Sequence, residues 1–386
     1  MPVASYAIAG HGVRNFISSS SSSIHRHNFP FTVRSILKIT PLYSPFNRNY
    51  AAAAVSSSSS TRDITNSIEN AGNFTWNDVF EVSQSENGSS DLGGFFQKIN
   101  LCNRGSEKRF DFIPFVIEDQ IVGYVHNGFV DHLSKFKDVF TIMKDNAHET
   151  QSGHVTLQSA LKTPESRTEA LGNVVKCLGE EVFPGIRNEL YPVTSSYGGR
   201  VYFSLERAAA PYFGIKAYGI HMNGYVEKDG KKYLWIGKRS ETKATYAGML
   251  DHLVAGGLPH GMSCAENVVK ECEEEAGIPR PISSRAIPVS VVSYMDIDGY
   301  RFKRDVLFCY DLKLPESFIP HNQDGEVGSF KLLPVTLVGD VIRNTEFFKA
   351  NCNLVIIDFL FRHGFIKPED DGYLKLLQSL RSGDCS

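Results

Sequence analysis

The chain has 386 residues, 42% hydrophobic and 22% charged, enough for two or three domains with their own cores and too ordinary for a collagenous, coiled-coil or wholly disordered protein. No uncharged apolar run approaches the roughly 18 to 20 residues of a membrane-spanning helix; the best candidate, Leu354 to Phe361, is interrupted by Asp358. The formal charge of −3 is unevenly spread: residues 1 to 62 hold six basic and no acidic side chains, leaving 34 basic against 43 acidic over the rest. So acidic a body argues against nonspecific nucleic-acid binding, whose affinity comes from neutralised phosphates.

That leader, residues 1 to 62, also carries 14 serines, including the runs Ser18 to Ser23 and Ser56 to Ser60. An acid-free, Ser-rich, Arg-bearing start is the composition of an organelle transit peptide. The serine runs and scattered arginines favour the plastid, with the mitochondrion as the alternative. Residues 63 to 93 read as linker. Residues 94 to 214 mix helix and strand patterns: Phe112 to Ile117 with Ile121 to Val125 as a strand pair, and Thr168 to Val182 with Leu171, Val174, Val175 and Leu178 at helical intervals. No catalytic motif stands there, and the segment is expected to be a smaller α+β accessory domain. The 7 cysteines are scattered and none forms a C-x-x-C pair, so neither a disulfide framework nor a zinc site is indicated.

Residues 215 to 365 read as a second domain. Ala217 to Val226 and Tyr233 to Lys238 flank a turn containing Asp229-Gly230, a hairpin pattern. A Gly-rich loop from Gly256 to Gly261 then leads to a helix. Ser263 and Glu266 form a capping-box pair at its start, and it should stop at Gly277. Strand patterns over Ala286 to Asp296 and Phe302 to Leu314 and a closing helix around Leu354 to Arg362 complete a mixed sheet flanked by helices. Residues 366 to 386 form a C-terminal helix or tail.

On the helix, Ala265, Val268, Val269, Cys272 and Ala276 fall on one apolar stripe, while Glu271, Glu274 and Glu275 share a face about 120° away. Like charges at this spacing repel by a few tenths of a kcal/mol per pair. A divalent cation, Mg2+ or Mn2+, would compensate, since both take hard oxygen ligands; a solvated acidic face is the plainer alternative. Glu266 and Lys270 fall on the opposite side as an i, i+4 pair.

The order of these residues closely resembles the Nudix box, G-x5-E-x7-R-E-U-x-E-E-x-G-U with U apolar, through Gly256, Glu271, Cys272, Glu274, Glu275, Gly277 and Ile278. Met262 stands where the family has its first glutamate and Lys270 where it has arginine; these two family residues are taken to support each other, so that losing both is milder than losing one. The resemblance implies an α/β class fold, a Nudix α/β/α sandwich with a mixed sheet behind the α+β accessory domain. It also implies metal-dependent hydrolysis of a diphosphate, with Glu271, Glu274 and Glu275 holding Mg2+ or Mn2+ and Glu274 acting in catalysis. Glu326, in the loop after the last long strand, is the candidate base.

Upstream, Arg239-Ser240-Glu241-Thr242-Lys243 and the stretch Gly248 to Gly257 resemble a branch of plant chloroplastic Nudix hydrolases similar to the Nudix region of fungal bifunctional thiamine pyrophosphokinases. That likeness runs from about Gly94 to Phe365 and is most specific over Asp251 to Gly261 and Asn351 to Gly364. It implies cleavage of thiamine diphosphate, or of its damaged oxo or oxy analogues, to the monophosphate and phosphate. Arg239 and Lys243 would hold the diphosphate, and Tyr218, Tyr246 and Tyr294 would supply aromatic surface. The partner is thus a small-molecule diphosphate, with no nucleic acid and no membrane, and no kinase domain is expected. Three rivals stand beside this reading. One is a broader diphosphatase for nucleoside diphosphate derivatives such as ADP-ribose or NADH. Another is a Nudix-fold binding protein weakened by Met262 and Lys270. The third, an isoprenyl diphosphate isomerase, needs a positioned cysteine, whereas Cys264 and Cys272 sit at the apolar stripe.

Overall fold

A computed structural model of the chain describes residues 73–82, 91–143, 153–243 and 245–385. The leader lies outside the described residues, as does most of the 63 to 93 stretch. The described part of that stretch is not a bare linker. Helix α1 (Trp76–Glu81) starts under a reciprocal cap between Thr75 and Asp78. Phe74 stacks on Phe347 at 4.1 Å between ring centroids, and Trp76 Nε1 donates to Ser329 Oγ at 3.0 Å. Helix α2 (Gly93–Leu101) follows and buries Phe95 and Ile99.

Next come β1 (Phe112–Ile117), β2 (Gln120–His126), α3 (Asn127–Leu133), β3 (Phe140–Met143) and β4 (His154–Leu157), which build a sheet of order β2-β1-β4-β3. Helix α4 (Pro164–Val182) starts four residues before the apolar periodicity suggests, because Thr163 caps it and Pro164 occupies its first turn. Its Leu171, Val174 and Val175 pack with Phe115, Phe129 and Phe203 in one core. A two-stranded ribbon, β5 (Leu190–Val193) with β6 (Phe203–Glu206), completes this first domain.

The second domain runs through β7 (Lys216–Lys228), β8 (Lys231–Arg239), β9 (Leu250–Asp251), β10 (Val254–Gly257), α5 (Cys264–Ala276), α6 (Arg280–Ser283), β11 (Ile287–Asp298), β12 (Arg301–Lys313), β13 (Val327–Pro334), α7 (Val335–Asn344), α8 (Ala350–Arg362) and α9 (Tyr373–Ser379). Its sheet has the order β11-β12-β7-β8-β13, with β10 along β7 and β9 along β8. The β12–β7 pairing is parallel and the others antiparallel, so the sheet is mixed. Val268 and Cys272 of α5 pack with Ile220, Met222 and Leu312. A separate core joins Val338 and Val341 of α7 and Phe359 of α8 to Leu234, Val292 and Leu307. Helices on both sides of a mixed sheet make an α/β/α sandwich.

Helix α2 joins that second core. Although it falls at the start of the 94 to 214 segment in sequence, its Phe95 and Ile99 pack with Val338, Val341 and Phe359 of the second domain, and α2 lies against α7, α8 and α9, so that segment is not one self-contained domain. Asp358, which interrupts the most apolar run of the chain, is buried in α8. Its carboxylate takes Arg362 Nε at 2.7 Å, Arg381 Nη2 at 3.0 Å and Ser290 Oγ at 2.8 Å, the pairing that a buried charge requires. Among the described residues no helix is long and apolar enough to cross a membrane.

Candidate active site

The carboxylate helix α5 begins and ends where its sequence signals fall. Ser263 Oγ accepts the Glu266 N–H, Glu266 returns its carboxylate to the Ser263 N–H, and the helix stops at Gly277. Its buried residues are Asn267, Val268, Val269, Cys272, Glu275 and Ala276. Two of these differ from the sequence expectation. Ala265 is exposed, because burial begins only at Asn267, and Glu275 is buried beside the apolar stripe rather than apart from it. Both differences follow from β10 crossing close by: Asn267 Nδ2 donates to the Gly257 carbonyl at 2.8 Å, and Glu275 Oε2 accepts the Ala255 N–H at 2.8 Å.

The expected Glu266–Lys270 pair does not form. Glu266 is engaged by its cap, and the Lys270 ammonium reaches Glu274 Oε2 at 2.6 Å and Glu271 Oε1 at 3.4 Å. Two clustered carboxylates attract a cation more strongly than one that is already hydrogen-bonded. Lys270 therefore belongs to the site, whereas Glu266 does not. Glu266→Gln keeps the capping-box donor–acceptor pattern and should leave turnover within about twofold of wild type, as steady-state assays would show.

Burial raises the Glu275 carboxyl well above the ordinary carboxylate range, and the neighbouring Asp251, Glu271 and Glu326 charges push it further, opposed by the Ala255 N–H. Burial also raises Glu271, with Lys270 working against it. One buried and two half-buried carboxyls on one helix face, with a lysine drawn in to offset them, are hard-oxygen donors of the kind Mg2+ or Mn2+ takes, although among the described residues their ligand atoms do not form a converged trio.

The expected substrate-side residues stand across from this helix. Lys243 Nζ lies 2.5 Å from Glu326 Oε1. Burial alone would raise Glu326, but the Lys243 hydrogen bond and the charges of Lys243, Arg239 and Arg187 outweigh it and hold the carboxyl below its ordinary value. Arg239 is more constrained than its sequence role suggests: Nε donates to the Tyr246 carbonyl at 3.1 Å, Nη2 to the Thr245 carbonyl at 3.1 Å and Nη1 to Asp251 Oδ2 at 3.1 Å. It shapes the 245–246 turn and adds charge rather than offering free donors. All of the sequence-derived site residues, Arg239, Lys243, Glu271, Glu274, Glu275 and Glu326, line one cleft of about 1000 Å3, joined by Tyr218, Tyr246 and Tyr294.

Two groups had no motif to announce them. Among the described residues, Asp251, His252 and Cys352 bring ligand atoms within 4.8 Å of one another. Charge argues against a metal there. Lys349 lies 3.6 Å and Arg239 3.1 Å from Asp251 Oδ2, so a divalent cation would enter a place already positive. Burial lowers His252 to about 4, and His252 Nε2 shares a hydrogen bond with His221 Nδ1 at 2.9 Å, which with the Cys352 thiol on Asp251 at 2.7 Å ties β9 to α8 and β7. The second group comes from the first domain: Arg187, Glu189, Tyr191 and Arg207 line the same cleft. Cys264 and Cys272 are not site residues. Cys264 shares a hydrogen bond with Tyr197, and burial pushes the Cys272 thiol up, which fits packing and not an isomerase acid.

A mixed-sheet α/β/α sandwich with a clustered carboxylate helix behind a Gly-rich strand, facing a cleft lined by lysine and arginine, defines a phosphoanhydride hydrolase. Residues 219–351 match the NUDIX domain, and residues 94–217 match a domain of unknown function (DUF4743). The chain is 65% identical over 318 residues, 82% of its length and 85% of the relative's, to Nudix hydrolase 20, chloroplastic, of Arabidopsis thaliana. It is 62% identical over 317 residues, 81% and 85% of the two lengths, to Nudix hydrolase 24, chloroplastic, of the same plant. An uncharacterized protein of Saccharomyces cerevisiae is 41% identical over 208 residues, 50% of this chain and 60% of that one. The chain belongs to the Nudix hydrolase family, whose members work with a divalent metal. The plastid address read from the leader agrees with both plant relatives, and the mitochondrial alternative has no support.

Proposed function

We propose that the chain cleaves thiamine diphosphate, or its damaged oxo and oxy analogues, to the monophosphate and phosphate, using Mg2+ or Mn2+. The observation that carries this reading is that one cleft holds both a phosphate-handling set, Glu271, Glu274, Glu275 and Lys243, and an aromatic and acidic set, Tyr246, Tyr294 and Asp305. The second set suits a small polar heteroaromatic group.

Glu271, Glu274 and Glu275 would hold the cation, which supplies charge neutralisation on the diphosphate and a lowered pKa for water. The remaining work falls to the chain. Lys243 orients a phosphate oxygen and Arg239 adds positive charge behind it. Glu326, kept ionised by Lys243, receives the proton of the attacking water. That water's oxygen bonds to phosphorus as the bridging bond breaks, giving the monophosphate and phosphate.

The test separates and quantifies the cleavage products formed by purified protein from thiamine diphosphate, its oxo analogue, ADP-ribose and NADH at equal concentration, with Mg2+ or Mn2+: the monophosphate and phosphate from the first two, AMP and a second monophosphate from the others. Aromatic and acidic surface holds a cationic thiazolium more tightly than a neutral oxo ring by roughly 0.5 to 2 kcal/mol, so intact thiamine diphosphate should be preferred to its oxo analogue by a modest factor in kcat/KM. A clear win for ADP-ribose would replace the thiamine reading with a broader diphosphatase. Metal-dependent binding without cleavage of any compound would make the chain a binding protein.

A further inference from the structure

The domain of unknown function lines the cleft beside the start of the carboxylate helix. Its β5–β6 ribbon is seated on the loop that precedes α5. The His260 N–H donates to the Leu190 carbonyl at 3.0 Å, Ser204 Oγ and His260 Nδ1 share a hydrogen bond at 2.6 Å, and Tyr197 and Cys264 share another at 3.2 Å. A Cβ at Gly257 would overlap the Tyr191 hydroxyl, so ribbon and loop meet without a gap.

Charge pairing on this wall leaves one cation over. Arg207 Nη1 donates to Glu189 Oε2 at 2.8 Å and its guanidinium lies 5.6 Å from the Tyr191 ring centroid, so Glu189 is neutralised. Across the cleft, Lys243 is taken by Glu326, Arg239 by Asp251 and Lys270 by Glu274, while Lys303 of β12 has no ion pair among the described residues. On the first-domain wall, Arg187 is an unpaired cation. Its backbone N–H is fixed by Glu206 Oε1 at 3.2 Å, yet its exposed guanidinium makes no hydrogen bond or ion pair among the described residues. It lines the cleft close enough for Glu326 to feel its charge. A guanidinium held at the backbone, free at its donors and on the lining of the same cleft can take an anion, and its planar fork matches phosphate oxygens.

We propose that the first domain is a substrate-binding wall of the hydrolase, and that Arg187 binds a phosphate oxygen of a diphosphate substrate held in the cleft it shares with Glu271, Glu274 and Glu275. This rests on the diphosphate-hydrolase reading and adds to it a binding residue outside the Nudix domain. Ground-state and transition-state phosphates are both anionic, so Arg187 contributes binding throughout the reaction and its loss should appear in KM.

The experiment compares the full chain with Arg187→Gln and Arg187→Lys. It measures calorimetric affinity for inorganic diphosphate with Mg2+, Mn2+ affinity without diphosphate, and kcat and KM on the best-cleaved compound. Arg187→Gln should weaken diphosphate binding and raise KM by about tenfold, with kcat within about threefold and Mn2+ affinity unchanged. Arg187→Lys should recover part of the binding. Diphosphate affinity and KM equal to wild type in Arg187→Gln would overturn the proposal, as would a fall in kcat with KM unchanged. A wild-type chain that binds Mn2+ but neither binds nor cleaves any diphosphate would overturn the hydrolase reading instead.

Discussion

Glu275→Gln should lower turnover by on the order of 10²-fold or more, as expected when one preorganised charge is withdrawn from a transition-state site, while the metal-free protein melts higher than wild type. The two effects have one cause. Glu275 is buried on α5 with its Oε2 on the Ala255 N–H, a bond that the glutamine carbonyl can keep. Burial raises the carboxyl above its unfolded value. Its contribution to stability is therefore present below the ordinary carboxylate pKa and is lost as pH rises through the raised folded value. Melting the metal-free proteins across that window in a chelator should give a falling Tm for wild type and a flatter profile for the variant. A variant that melted lower and lost turnover together would make the carboxylate a structural group.

Gly256→Ala should be nearly as damaging to turnover for a different reason. A Cβ at position 256 of β10 would overlap the Glu271 carboxyl group. That carboxyl ends a flexible side chain, so the fold can yield where the donor set cannot. The expected result is a drop in kcat of at least about tenfold and weaker Mn2+ binding, in line with misplacing a group at a reacting site by about 1 Å. The circular dichroism spectrum should stay that of wild type. Unchanged Mn2+ affinity would separate Glu271 from the metal.

What could be read in the sequence was local. The β7–β8 hairpin announces itself by alternation and by Asp229-Gly230, whose positive φ values of 51° and 70° suit the tight turn. The limits of α5 follow from its capping box and stop signal. The three glutamates follow from their spacing on one face, and the family likeness adds their order. Helix α1 escaped notice because six residues are too few to display a period. The true partner of Lys270 depended on Glu266 being used by Ser263, a competition between two permitted pairings that spacing alone does not rank. Arg187, Glu189 and Tyr191 alternate at i, i+2 and i+4, but nothing in that spacing ties them or Arg207 to the cleft. They reach the cleft because a ribbon from one domain docks on a loop of another, and that is a tertiary event.

The placement of α2 changes what kind of protein architecture this is. Phe95 and Ile99 fill the core beneath α7 and α8, the chain then builds the first domain, and it returns at Lys216 to enter the sheet of the second. In space, the part of the domain of unknown function from β1 to β6 is an insertion, anchored to its host by two crossings of the chain instead of hanging from one. A domain on a single linker samples many orientations and loses that freedom each time it closes on a ligand. One clamped at both ends has given up the freedom during folding. The wall bearing Arg187 is therefore held in register with the carboxylate helix before any substrate arrives.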